Sequence, residues 1–228
     1  MIFKEIMAEL KKMGTAQNRK IYQRHGSGPN LYGVSFANLN KLQKRIKKDH
    51  SLALKLWTTG NTDAMSLAVM IVDPGGMDEN DIENWVQDAK YYMLVDIFVK
   101  DVVSQTRFAE KLIGKWTGSE DEWIGRAGWQ LLAVYAGSCK TCPDTFFLPY
   151  IAEAQKSIHG EKNRKREAMN TAVIAMGIRG DKIETVARKA AEIIGPVLVD
   201  HGETSCKTPD ILEYIDRVNK RRTSRGHN

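Results

Sequence analysis

An aromatic residue, an acid and an arginine are placed where they could act together on a sugar-phosphate substrate. Tyr92 and Asp96 are four residues apart, so a helix would carry the ring and the carboxylate on one face. Arg126 follows in a later segment, and a guanidinium can grip a phosphate in bidentate fashion. The arrangement favours work on nucleic acid. The alternatives are a surface Tyr/Asp pair and an interhelical salt bridge of Arg126.

The basic residues are concentrated in a few short runs. The chain of 228 residues has 34 Lys and Arg against 28 Asp and Glu, a net charge of +6. The basic runs cover residues 41–48, 162–166 and 220–225, and acidic residues are concentrated at 78–88. This segregation predicts a basic surface that can displace counterions from a phosphate backbone. A solvated helix face is the alternative for each run.

The chain shows no targeting or membrane segment. Lys4 and Glu5 place charge in the first turns, and no apolar core with a cleavage site follows them. No run approaches the 18 apolar residues that a membrane span requires. Three cysteines do not make a disulfide framework and fit a reducing compartment. We therefore expect a cytoplasmic protein, in the bacterial cytoplasm or nucleoid, without membrane contact.

A Cys-x-x-Cys motif is the main candidate for metal or redox chemistry. Cys139 and Cys142 would be half of a zinc site that His201 and Cys206 could complete, but that second pair is not closely spaced. A redox motif needs a strand-to-helix setting, which this chain lacks. We therefore expect small core or turn cysteines, with no metal and no cofactor.

Helical periodicity recurs along the whole chain, which predicts an all-α protein. Ser35 and Asp78 are expected N-caps, and Ser119 with Glu122 has the spacing of a capping box. The last helix is expected to begin at residues 208–210, with Pro209 in its first turn.

The helical segments are each about 10 to 16 residues long, and short polar joints connect them. Such spacing is typical of stacked helix pairs in a HEAT-like solenoid, with an irregular helical bundle as the alternative. We expect one domain over residues 1–228, a superhelix with a concave basic face. Residues 219–228 are expected to be a basic, flexible C-terminal tail.

Three motifs resemble those of the AlkD-type DNA alkylation repair family, whose members are HEAT-like repeat DNA glycosylases. The resemblance covers nearly the whole chain, and its anchors are residues 32–35, 91–96 and 123–127. It implies that Asp96 is the catalytic aspartate, Tyr92 a cleft aromatic residue and Arg126 the phosphate-binding arginine. Thr171 stands where the family has a second cleft tryptophan.

The resemblance implies excision of cationic N3- or N7-alkylpurines from duplex DNA without deep base flipping. The charged base leaves without a general acid, so Asp96 would stabilise the oxocarbenium character of the sugar. Asp96 and Arg126 would flank one nucleotide, and Trp129 could border the cleft. The other DNA-binding candidates are Lys162, Arg164, Lys165 and Arg166.

Two further functions stay open on the sequence alone. One is a non-catalytic protein that binds distorted or branched DNA, which Thr171 would suit. The other is a protein-binding helical scaffold. The expected partner is duplex DNA, alkylated or distorted, bound by a monomer.

Overall fold

The fold consists of helices joined by short loops. The computed structural model describes residues 2–225, apart from the side chain at position 181. Within this range there are thirteen α-helices and no strand, which confirms the all-α prediction. The α-helices are Phe3–Met13 (α1), Ala16–Arg24 (α2), Phe36–Ile46 (α3), His50–Trp57 (α4), Thr62–Ile71 (α5), Glu79–Asp88 (α6), Tyr92–Asp101 (α7), Ala109–Thr117 (α8), Glu122–Ser138 (α9), Leu148–Ser157 (α10), Asn163–Gly177 (α11), Asp181–Ile194 (α12) and Ile211–Arg225 (α13). Short 3-10 helices cover Pro74–Gly76, Val103–Gln105, Asp144–Phe146 and Ile158–Gly160.

Side-chain caps fix several helix starts, as the sequence predicts. The Ser35 hydroxyl accepts a hydrogen bond from the backbone N–H of Asn38, and Asp78 forms a capping box with Asp81. Two starts differ from the prediction. Asp121, and not Ser119, caps α9, because its carboxylate accepts from two backbone N–H groups at 2.9 and 3.0 Å. Helix α13 begins after Asp210, whose carboxylate accepts from the Glu213 N–H, so Pro209 precedes the helix.

The chain forms two compact units. The first comprises residues 1–111 and 201–205, of which 2–111 and 201–205 are described. In this unit the buried Asp63 carboxylate accepts hydrogen bonds from the backbone N–H groups of Tyr32, Gly33 and Val34, at 2.6 to 2.9 Å. These bonds attach the segment before α3 to the start of α5 and so hold the first helices together.

The second unit comprises residues 112–200 and 206–228, described up to residue 225. Its central packing is that of α9 against α11. Gly125 leaves room for the Lys165 side chain of α11, because a Cβ added at Gly125 would lie 2.6 Å from Cδ of Lys165. Arg126, the next residue of α9, contacts α11 through Arg164 and Glu167.

The C-terminal segment is helical up to the limit of the described residues. Residues 219–225 of the expected tail continue α13, and residues 226–228 lie outside the described part of the chain. Between residues 2 and 225, no helix is both long enough and apolar enough to cross a membrane. The expectation of a single domain stays a prediction.

Candidate nucleic-acid site

Helix α7 carries the two candidate residues of the first unit, Tyr92 and Asp96. The helix buries Leu94, Val95 and Phe98, while Tyr92 and Asp96 are half-buried. Because they are four residues apart within one helix, the ring and the carboxylate lie one turn apart at the edge of the apolar stripe. The structure thus preserves the spacing on which the prediction rests.

A histidine that the sequence did not single out contacts Tyr92. The Tyr92 hydroxyl lies 3.3 Å from Nδ1 of His25, and the two rings are tilted by 52°. His25 is the C-cap residue of α2, directly after Arg24. The two residues are 67 positions apart in the chain, so no local pattern could have indicated the contact.

The candidate arginine of the second unit is buried and paired. Arg126 is 2% exposed, and its Nη1 donates to Oε2 of Glu167 at 2.8 Å and to the carbonyl oxygen of Arg164 at 3.1 Å. The interhelical salt bridge, which was the alternative for this residue, is therefore present between α9 and α11. The bridge partly neutralises the charge that was expected to hold a phosphate.

Glu167 connects this arginine to a second one. The Nη1 atom of Arg164 lies 3.0 Å from the same Oε2 atom. Burial alone would raise the pKa of Glu167, but the guanidiniums of Arg126 and Arg164 hold that pKa below its usual value. Glu167 is therefore ionised at neutral pH. Sequence reasoning missed its role, although its spacing from Arg164 is that of an intrahelical ion pair.

Thr171 lies one turn beyond Glu167 and also bonds within the helix. Its hydroxyl donates to the Glu167 carbonyl oxygen at 3.0 Å. A threonine in this conformation offers no flat apolar face to a sugar or a base. The part of the site that the resemblance assigns to a second tryptophan therefore has no ring at this position.

Two further candidates are buried in the second unit. Trp129 is 1% exposed and donates its indole N–H to the Thr117 carbonyl oxygen, so it packs in the core. Lys165 is 5% exposed, and its Nζ donates to Oε1 of Glu161 and to the Ser119 carbonyl oxygen. Neither side chain is presented to solvent as a DNA-binding surface requires.

The remaining cations of residues 162–166 also bond to the protein itself. Lys162 donates to the Glu120 carbonyl oxygen at 2.8 Å. Arg166 donates to the carbonyl oxygens of Glu161 and Leu198, each at 2.8 Å. This basic run thus anchors the N-terminal end of α11 to its surroundings.

The basic run on α3 is more open to solvent. Lys41, Lys44 and Lys47 are exposed. Arg45 pairs with Glu9, and Lys48 donates to the Val72 carbonyl oxygen. Lys41, Lys44 and Lys47 therefore form a solvated basic surface, here called the α3 lysine surface.

We expected small core or turn cysteines and no disulfide framework, but Cys139 and Cys142 form a disulfide. The loop after α9 brings their Cα atoms to 5.5 Å, a separation that a disulfide can bridge. Cys206 is exposed and lies outside this bond. Across the described residues, no group of three or more His, Cys, Asp or Glu side chains is arranged to hold a metal ion.

The chain is similar to known proteins over nearly its whole length. A solved structure described as a new family of proteins related to the HEAT-like repeat DNA glycosylases, with affinity for branched DNA structures, superimposes with a TM-score of 0.88. It shares 29% sequence identity and covers 97% of this chain and 95% of its own. This likeness confirms the HEAT-like class of the fold.

Two bacterial relatives are similar to the chain from end to end. The protein Lin0241 of Listeria innocua serovar 6a is 30% identical over 224 residues, covering 96% of this chain and 98% of the relative. The protein Lmo0209 of Listeria monocytogenes serovar 1/2a is 29% identical with the same coverage. The model of the DNA alkylation repair enzyme family matches residues 6–207. A match of this length, together with the helical fold, shows that the chain belongs to the DNA alkylation repair enzyme family.

Proposed function

We propose that this protein binds distorted or branched duplex DNA and does not excise bases. The observation that carries the proposal is the 2.8 Å ion pair of Arg126 with Glu167, in which the guanidinium is almost closed to solvent and the carboxylate is half-buried. An arginine that must hold a phosphate needs an accessible guanidinium. Separating this guanidinium from Glu167 would leave a buried positive charge without its carboxylate partner, which is energetically costly.

The absence of a second aromatic face supports the same proposal. Thr171 occupies the position of the family's cleft tryptophan, and its hydroxyl is directed back to the backbone of α11. Aromatic faces hold the sugar and attract the cationic base during excision. Thr171 thus supplies no aromatic face where the family has one, which favours binding over excision.

DNA affinity itself is assigned to exposed cations. The α3 lysine surface presents Lys41, Lys44 and Lys47 to solvent, and their ammonium groups can displace counterions from a phosphate backbone. Such contacts position DNA without reading its sequence. The solved relative has affinity for branched DNA structures, and we extend that substrate class to this chain.

The experiment is a fluorescence anisotropy titration of a four-way junction and of a linear duplex built from the same sequences. We expect tighter binding of the junction, with an affinity for both DNAs that falls as salt rises. Equal affinity for the two DNAs would contradict recognition of branches. No salt-dependent binding of either would contradict DNA binding altogether.

Alkylpurine excision is the second candidate, and the placement of Asp96 favours it. The carboxylate is half-buried on the same helix edge as Tyr92, one turn away. An ionised carboxylate beside the sugar would stabilise positive charge at C1′ as the glycosidic bond breaks. Release of 7-methylguanine or 3-methyladenine from methylated duplex by the wild type, and not by Asp96→Asn, would establish excision. No release by either protein is the result that the leading proposal predicts.

A further inference from the structure

The disulfide lies in a short loop where one helix ends. Cys139 is the C-cap of α9, and its backbone N–H bonds to the Tyr135 carbonyl oxygen. Cys142 follows three residues later, just before the 3-10 helix Asp144–Phe146. Both cysteines are half-buried, so solvent reaches the loop.

One arginine binds the backbone on both sides of the disulfide. Nη1 of Arg179 donates to the carbonyl oxygens of Ala136 and Cys139, at 2.5 and 2.8 Å. Nη2 donates to the Cys142 carbonyl oxygen at 3.0 Å, and the guanidinium lies 4.4 Å from the centroid of the Phe147 ring. The loop is therefore held by a covalent bond and by one cation together.

A positively charged cavity opens beside Cys139. Its volume is about 300 Å³, and its lining includes Cys139, Lys140, Arg179 and Arg222. Nε of Arg179 is buried and makes no hydrogen bond to a described residue, but it forms an ion pair with Asp144 at 3.6 Å, which partly offsets its charge. Lys140 and Arg222, together with the partly paired Arg179, favour the approach of a small anion.

We propose that Cys139 and Cys142 form a reversible thiol–disulfide exchange site for a small anionic thiol that enters this cavity. The incoming thiolate attacks Sγ of Cys139, forms a mixed disulfide there and displaces Cys142 as a thiolate. A second thiolate attacks the sulfur of the bound thiol and releases Cys139 as a thiolate together with a disulfide of the two small molecules. Both protein thiolates then take up protons, so two thiols are oxidised while the protein disulfide is reduced.

The position of Cys139 indicates that this disulfide is not built to oxidise other proteins. Oxidising Cys-x-x-Cys motifs stabilise a thiolate at a helix N-terminus. Cys139 stands instead at the C-terminal end of α9, where the partial negative charge of the helix opposes a thiolate. The site is thus a place of modification, and reduction removes the covalent restraint on residues 139–142.

The first experiment follows the bond itself in the full chain carrying Cys206→Ser. The protein is equilibrated in glutathione buffers from mostly oxidised to mostly reduced, and the thiols are then alkylated and mapped by mass spectrometry. We expect Cys139 and Cys142 to change together from a disulfide to two alkylated thiols within this series. A pair that stays in one state across the whole series would overturn the proposal.

The direction of attack is tested with two single variants in the same background. Each variant keeps one cysteine, on which oxidised glutathione can form an adduct. We expect the adduct on Cys139, in Cys142→Ser, to form faster than the adduct on Cys142, in Cys139→Ser. Equal or reversed rates would contradict entry through the cavity. Lys140→Gln should slow reduction of the disulfide by glutathione more than reduction by 2-mercaptoethanol, which also attacks as a thiolate but carries no carboxylate, and Lys140→Arg should restore the rate. If Lys140→Gln slows both thiols equally, the anionic preference is wrong.

Hydrogen exchange measures the consequence for the loop. On reduction, amides of residues 139–147 should exchange faster in the protein with both cysteines. The variant Cys139→Ser/Cys142→Ser should exchange at that faster rate with or without reductant. No change in this segment on reduction would show that the disulfide does not restrain the loop. DNA is absent from all these measurements, so their outcome is independent of the proposed function.

Discussion

Glu167 Oε2 lies 2.8 Å from Nη1 of Arg126 and 3.0 Å from Nη1 of Arg164, so one carboxylate serves two guanidiniums. The first of these arginines is the residue that the resemblance assigns to a DNA phosphate. Its burial at 2% exposure makes it a structural link between α9 and α11. DNA binding is then left to cations that remain at the surface.

Replacing Glu167 by Gln should destabilise the second unit. The amide keeps the size of the side chain but removes the charge facing the buried Arg126 guanidinium, and we expect a loss of about 2 kcal/mol in the free energy of unfolding. Urea denaturation of the wild type and the variant measures this loss of free energy. The control is Glu184→Gln, whose ion pair with Arg188 lies nearer the surface, and its cost should be below about 1 kcal/mol. Equal costs would contradict a structural role of the buried pair.

The stability that Glu167 contributes should depend on pH. Its pKa in the folded protein lies below the ordinary value of 4.5, so the folded state binds this proton more weakly than the unfolded state. The contribution is therefore fully present above that value and is lost as the pH falls through the folded pKa. The gap in unfolding free energy between wild type and Glu167→Gln should narrow on acidification below 4.5. A gap independent of pH would contradict the lowered pKa.

Neutralising the α3 lysine surface should weaken DNA binding without unfolding the protein. For Lys41→Gln/Lys44→Gln/Lys47→Gln, we expect the slope of log affinity against log salt to fall by about one unit for each lysine that contacts a phosphate. The variant with arginine at the same three positions keeps the charge and should keep the slope. An unchanged slope in the glutamine variant would remove this surface from the DNA interface.

Asp63 should be essential to the stability of the first unit. The Asp63 carboxylate accepts hydrogen bonds from the backbone N–H groups of Tyr32, Gly33 and Val34. Asn at position 63 would place an amide NH₂ group, which is a donor, against at least one of these N–H donors. We expect a loss of about 3 kcal/mol, because three charge-assisted bonds are weakened in a buried site. Urea unfolding followed by circular dichroism tests this value. Asp73→Asn, at an exposed cap, is the control and should cost about 1 kcal/mol or less.

The sequence alone is sufficient to predict helices and helix starts where local interactions decide the structure. The caps Ser35 and Asp78 bond to N–H groups three residues on, and the periodicity of apolar residues determines the helices. The predicted start of α9 is wrong, because Ser119 and Asp121 are both favourable N-cap residues and only the path of the chain decides which of them caps the helix.

Contacts between distant residues could not be predicted in this way. His25 meets Tyr92 across 67 positions, and Glu167 meets Arg126 across 41. The basic run at residues 162–166 illustrates the same limit, since its charges are evident in the sequence but their carbonyl partners are not. Whether Asp96 and Arg126 flank one nucleotide stays a prediction.

The central claim is that Arg126 holds the fold together and that surface lysines hold DNA. We would measure the salt dependence of binding to a four-way junction by Arg126→Met/Glu167→Met, which removes both charges of the Arg126–Glu167 pair together and leaves only the more exposed Arg164 without this carboxylate. We expect the same slope of log affinity against log salt as for the wild type. A slope smaller by about one unit would show that Arg126 contacts a phosphate, and would contradict the account.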